Sequence, residues 1–100
     1  MAVAFYTEYD EGSPEASTQI TERILQQSGP GGPAGMLYHA EGPLDGDGWW
    51  VIDVLESEAA AECFYSEVLT PILRDIGGLE GAQRRKLEVY FETSNLVRPA

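Results

Sequence analysis

The chain holds one cysteine, one histidine and six lysines and arginines among 100 residues, against seventeen aspartates and glutamates. A lone cysteine excludes an internal disulfide, and the setting of Cys63 in AAAECFYSEV reads as a helix face where the thiol acts as a small hydrophobe. The shortage of basic side chains leaves a formal net charge of −11, which opposes phosphate backbones and anionic lipid. Neither nucleic acid nor a membrane surface is an expected partner. Half of the basic side chains, Arg84, Arg85 and Lys86, adjoin one another and read as a solvated loop, with an anion site at a pocket mouth as the alternative. No stretch approaches the roughly 20 apolar residues of a membrane span, and the first residues carry neither a basic leader region nor a long apolar run. A cytoplasmic location is expected. Phosphate loops, paired CxxC and nucleophile elbows are also missing; Gly29 to Pro33 is glycine-rich but has no lysine and no strand-to-helix setting.

What is present suits one small packed domain: 43% of the residues are hydrophobic and 10% aromatic. Ala2 to Tyr9 is rich in aromatic and β-branched residues and reads as a strand. Ser13, Pro14 and Glu15 announce a helix, with a capping hydroxyl, a proline in the first turn and a carboxylate facing the dipole. Ala16, Ile20, Ile24 and Leu25 form its narrow apolar stripe, and it should stop near Ser28. Gly35 to Glu41 and Trp49 to Glu56 are strand-like runs separated by a hairpin composition, Gly42 to Gly48. Ser57 caps a second, more apolar helix in which Pro71 should produce a kink or a new turn and which Gly77 and Gly78 end. Lys86 to Thr93 alternates like a last strand.

This order, β-α-β-β-α-β, predicts an α+β, ferredoxin-like domain spanning residues 1–100, with both helices on one face of a four-stranded antiparallel sheet. The third strand is apolar on both sides, so the sheet face without helices would expose a large patch on a monomer. A second copy is the simplest cover, and a homodimer is expected. Met36, Tyr38 and Ala40 share a parity with Trp50, Ile52 and Val54, and this uniformly apolar set suits packing under the helices. Leu37, His39 and Glu41 then fall with Trp49, Val51, Asp53 and Leu55 on a mixed face with the character of a small-molecule pocket. A three-residue loop at Asp45 to Asp47 would put His39 directly opposite Asp53, where a carboxylate orients the imidazole and raises its pKa as in a general base. A two-residue turn at Asp45-Gly46 would put them on opposite faces.

The stretch GMLYHAEGPLDGDGWWVIDVLES, Gly35 to Ser57, resembles the small bacterial dimeric α/β-barrel proteins related to antibiotic biosynthesis monooxygenases. The resemblance rests on Gly35, His39, Gly42-Pro43, Asp47-Gly48-Trp49 and Glu56-Ser57, and in element order it covers nearly the whole chain. It implies a protomer whose sheet closes into a barrel with that of a second copy, and a ligand cavity between sheet and helices or within the barrel. The family contains cofactor-free oxygenases of aromatic polyketides, cyclases, heme-degrading enzymes, dye-type peroxidases and members without known reaction, so it constrains the chemistry weakly. The asparagine, tryptophan and arginine set of the quinone-forming oxygenases has no clear counterpart here.

Two functions follow as expectations. The first is a cofactor-free enzyme, a monooxygenase or cyclase, that acts on an aromatic or polyketide-like molecule: His39 removes a proton, Asp53 orients it, and Tyr38, Glu41, Trp49, Trp50, Val51 and Tyr90 contribute to substrate binding. The second is a non-catalytic metabolite-binding or dimerisation module. Glu41, His39 and Asp53 also have the residue types of a metal site, but such triads ordinarily use two histidines, and no metal is expected.

Overall fold

The computed structural model describes residues 2–89. Strand β1 (Val3–Tyr9) leads to helix α1 (Pro14–Ser28), followed by strands β2 (Met36–Pro43) and β3 (Trp49–Leu55). A second helical segment runs through α2 (Glu58–Cys63), a π-helical stretch (Phe64–Leu69) and α3 (Thr70–Ile76), and strand β4 (Gln83–Leu87) follows. The sheet order is β2-β3-β1-β4 and every pairing is antiparallel, which is the ferredoxin-like arrangement.

The helix starts rest on the expected hydroxyls. Ser13 Oγ accepts from the Ala16 amide and Ser57 Oγ from the Ala60 amide, both at 3.1 Å. Gly29, at φ 86°, ends α1 by giving its N–H to the Leu25 carbonyl. Gly35 also needs its glycine: φ is +80°, and a Cβ there would stand 2.8 Å from the Ala60 methyl. Pro71 does more than bend the second helix. It has no N–H for the Glu67 carbonyl four residues back, and the ladder widens to π geometry just before it. Gln27 Nε2 of α1 donates to that carbonyl at 3.4 Å.

The helices lie on the sheet face formed by Val3, Thr7 and Tyr9 of β1 with Trp49, Val51, Asp53 and Leu55 of β3, all buried. Ile20 of α1 and Ala61, Phe64, Leu69 and Ile72 of the second helix complete the core, so the second helix is the better buried. Two sequence expectations are corrected here. The set Tyr38, Ala40, Trp50, Ile52 and Val54 faces away from the helices, since its alternate neighbours on β3 are the buried ones. Cys63 is exposed, its thiol donating to Glu67 Oε2 at 2.8 Å, rather than packed on a helix face.

The basic triplet is a third correction. Arg84, Arg85 and Lys86 lie in β4, paired with Thr7, Tyr6 and Phe5, and not in a loop. The last strand thus begins earlier than Lys86; the remainder of the expected run, from Tyr90 onward, lies outside the described residues. Charge on an edge strand is a means of discouraging further strand pairing, and the composition that reads as a loop is compatible with a strand there.

Leu55 is 0% exposed at the centre of the core. Leu55→Ala should lower unfolding free energy by about 3 kcal/mol, measured as a reduced urea midpoint with unchanged slope.

Candidate functional site

The β2–β3 hairpin decides which side chains meet. Leu44 N–H donates to the Gly48 carbonyl at 2.9 Å, which leaves Asp45, Gly46 and Asp47 as a three-residue loop. Counting back along both strands pairs His39 with Asp53 and Glu41 with Val51. His39 and Glu41 are two residues apart on one strand and share its helix-side face. Asp53 is opposite on the same face.

The imidazole is enclosed on two edges. Nδ1 lies 2.6 Å from Asp53 Oδ1, and Nε2 bonds Glu41 Oε2. Glu41 also accepts from the Ser17 hydroxyl of α1 and, at 3.1 Å, from Trp49 Nε1. Asp53 accepts from a second group, the Tyr65 hydroxyl, at 2.8 Å. Asp53 is 2% exposed, whereas the His39 side chain is 42% exposed.

These contacts set the protonation states. The Asp53 hydrogen bond, followed by that of Glu41, raises His39 to about 10, against an opposing but smaller effect of burial. Each ring nitrogen therefore carries its proton at neutral pH and faces a carboxylate. Burial works to raise Glu41, but its bonds from His39, Ser17 and Trp49 together hold it below the usual carboxylate value. Burial and the neighbouring Asp53 carboxylate push the Tyr65 phenol far above its ordinary range, so it stays a donor.

Behind the imidazole lies an apolar cavity of about 180 Å³ between α1 and the sheet. Ile20, Ile24, Met36, Val51, Phe64 and Leu69 supply its apolar walls, and Tyr9, Ser17, Thr21, His39, Glu41 and Asp53 its polar groups. Of the residues expected to contact a substrate, Glu41 and Val51 line this cavity. Trp49 touches it indirectly through Glu41. Tyr38, 58% exposed, and Trp50 are on the far face of the sheet, and Tyr90 lies outside the described residues. Among the described residues no three His, Cys, Asp or Glu side chains are placed to hold a metal ion. The carboxylates sit on different edges of the imidazole, which does not suit the one-histidine, two-carboxylate arrangement.

Ser17 and Tyr65 belong to the network without having stood out in the sequence, and Arg84, read there as part of a solvated loop or of an anion site, joins it through the Tyr65 ring and Thr7. Ser17 has a legible signal, since Ser17, Ile20, Thr21 and Ile24 form an i, i+3, i+4, i+7 stripe. Tyr65 has one as well, since Ala61, Phe64 and Tyr65 form an i, i+3, i+4 set, but a tyrosine does not stand out within an apolar helix. Its ring is packed edge-on against Phe5 and Phe64, at 5.3 and 5.1 Å, and carries the Arg84 guanidinium 3.9 Å from its centroid. Arg84 Nε donates to Thr7 Oγ1 at 2.9 Å, satisfying a hydroxyl that is 1% exposed.

The His39 value has a consequence for stability. Its ordinary value is 6.5 and its folded value about 10. Its contribution is complete below the ordinary value, where the unfolded chain is protonated too, and is lost as pH rises through the folded one. Unfolding free energy should decline over that window more in the wild type than in His39→Gln. In an NMR titration Asp53→Asn should lower the His39 midpoint; a wild-type midpoint at the ordinary value would be incompatible with the two bonds.

No protein-family model matches the chain, and no curated protein does. Solved structures do. SnoaB, a cofactor-independent oxygenase from Streptomyces nogalater, superposes with a TM-score of 0.65 at 14% identity, over 92% of this chain and 96% of that one. Rv0793 from Mycobacterium tuberculosis gives a TM-score of 0.63 at 14% identity, over 93% and 99%. A protein from Chloroflexus aurantiacus, named as a candidate antibiotic biosynthesis monooxygenase, gives 0.55 at 11%, over 92% and 98%. The chain thus shares its ferredoxin-like fold with these solved structures, a cofactor-independent oxygenase and a protein named as a candidate antibiotic biosynthesis monooxygenase among them.

Proposed function

We propose that this protein is a cofactor-free enzyme that removes a proton from an aromatic or polyketide-like substrate, leading to oxygenation or cyclisation, and that it works as a cytoplasmic homodimer. The observation that carries this reading is the placement of His39, held at Nδ1 by Asp53, in the wall of an apolar cavity. The fold shared with SnoaB, itself a cofactor-independent oxygenase, agrees with it.

His39 accepts a proton only as neutral imidazole, and Asp53 and Glu41 together keep it protonated, with Glu41 on the Nε2 proton. A phenolic or enolic hydroxyl in the cavity would approach the edge shared by Nε2 and Glu41. When Nε2 is bare, it takes the hydroxyl proton, and Asp53 steadies the imidazolium that forms. The substrate is left as an enolate or phenolate whose electrons attack either dioxygen or a carbonyl within the same molecule. Asp53 and, after it, Glu41 therefore set the pH at which the base becomes available. The second reading, a metabolite-binding module, uses the same cavity without proton transfer.

Homodimerisation would cover the helix-free sheet face. Tyr38, Trp50, Ile52 and Val54 form an apolar strip there, and none of them lies under a helix. Ile52→Glu should convert a dimer to a monomer in sedimentation velocity; a wild-type protein that sediments as a monomer at micromolar concentration would remove the dimer.

Incubation with polyketide phenols in air, followed by oxygen uptake and product mass, tests the enzyme. Turnover should rise with pH toward the alkaline titration of His39, and His39→Gln should reduce it by about 100-fold or more. Glu41→Gln should move the rising limb to lower pH. Ligand binding with no turnover across such a set would favour the binding module.

A further inference from the structure

The charge inventory of the cavity wall suggests which ligands it admits. Its titratable side chains are Tyr9, His39, Glu41 and Asp53, with no lysine or arginine among the lining residues. Two carboxylates and one imidazolium leave a net charge of −1. Arg84 is the neighbouring cation, but its guanidinium is spent on Thr7, Tyr9 and the Tyr65 ring. The surrounding chain, at −11, adds a field of the same sign.

Hydrogen-bond capacity points the same way. The donors around the two carboxylates are already committed: both His39 nitrogens, the Ser17 and Tyr65 hydroxyls and the Trp49 indole all turn toward Asp53 or Glu41. A carboxylate has about four acceptor positions. Asp53 uses two of them and Glu41 three, so the unfilled capacity at this end of the cavity is for acceptance. Tyr9 and Thr21 add neutral hydroxyls, each able to donate or accept, and no positive charge. The place a ligand carboxylate would want, beside the Nε2 proton, is filled by the protein's own Glu41.

We propose that the cavity selects an uncharged aromatic ring bearing a hydrogen-bond donor, such as a phenol, and rejects aryl carboxylates, with Glu41 as the residue that enforces the choice. The inference rests on reading this cavity as the ligand site. Its volume of about 180 Å³ limits the enclosed portion to about one ring, since an apolar cavity of about 150 Å³ takes benzene. A larger substrate would leave its other rings at the mouth.

Phenol and benzoate carry one ring each and differ in charge at neutral pH. Titrating each to millimolar concentration into the full chain, with amide shifts of Ile20, Val51 and Phe64 as the readout, separates the outcomes. Phenol should perturb these amides, with benzoate binding weaker by about tenfold or more. In Glu41→Gln the gap should close, because the variant removes the rival anion from Nε2. Thr18→Ala, which loses an α1 hydroxyl contact outside the cavity wall, should preserve the discrimination and controls for a general loosening of the helix.

Equal binding of the two ligands by the wild type, an unchanged ratio in Glu41→Gln, or no perturbation by either ligand would each overturn the proposal. The enzyme reading fails separately. Selective phenol binding without turnover of any phenol sinks the reaction and leaves the selectivity standing, whereas turnover of an aryl carboxylate does the reverse.

Discussion

The pairing of Leu44 with Gly48 is the constraint on which the site depends. A strand's side chains alternate between faces, so one residue more or fewer in this loop would carry His39 and Glu41 to the side opposite Asp53. With three residues in the loop, the imidazole and both carboxylates share the helix-side face. That face is also where the helices exclude water, and partial burial strengthens each ionic contact relative to an exposed ion pair. Register and chemistry are therefore the same fact here.

Burying Asp53 among apolar neighbours requires partners for its oxygens, and the fold supplies them from two layers. His39 comes from the adjacent strand, and Tyr65 comes from the second helix. Tyr65 stands at the start of the π-helical stretch, one helical turn after the buried Ala61, so the ordinary helical period aims it at the sheet. Arg84 then stacks on the Tyr65 ring and ties β4 to the same cluster, so the sheet's edge strand is anchored through its polar side chains even though its residues are exposed.

Much of this was legible in the sequence because the local signals agreed with one another. Ser13-Pro14-Glu15, Ser57 and the glycine-rich hairpin marked element boundaries by known backbone chemistry, while the His39–Asp53 pairing was one of two outcomes that the loop composition allowed, the one a three-residue loop gives. The choice of face was not legible. Trp50, Ile52 and Val54 are more uniformly apolar than Trp49, Val51, Asp53 and Leu55, yet the second set is the buried one. Hydrophobicity alone misassigns them, because the cost of burying Asp53 is offset by Tyr65 and His39, whose proximity exists only in three dimensions. The same holds for β4: three adjacent cations look like a loop until β1 offers a partner strand and Thr7 a buried hydroxyl.

The two carboxylates beside His39 are not equivalent. Asp53 is fixed within the sheet and under the second helix, on the side of the imidazole away from solvent. Glu41 is tied instead to α1 through Ser17, and that bond bridges helix and sheet beside the cavity. The Ser17 contact and the His39–Asp53 bond both lie in the cavity wall, but the second belongs to a strand pair that hydrogen bonds hold along its length. The α1 contact and the Nε2 contact meet on one carboxylate, Glu41, while Asp53 takes its other partner from the second helix. The packing of α1 and the only histidine in the chain are in this way joined through Glu41.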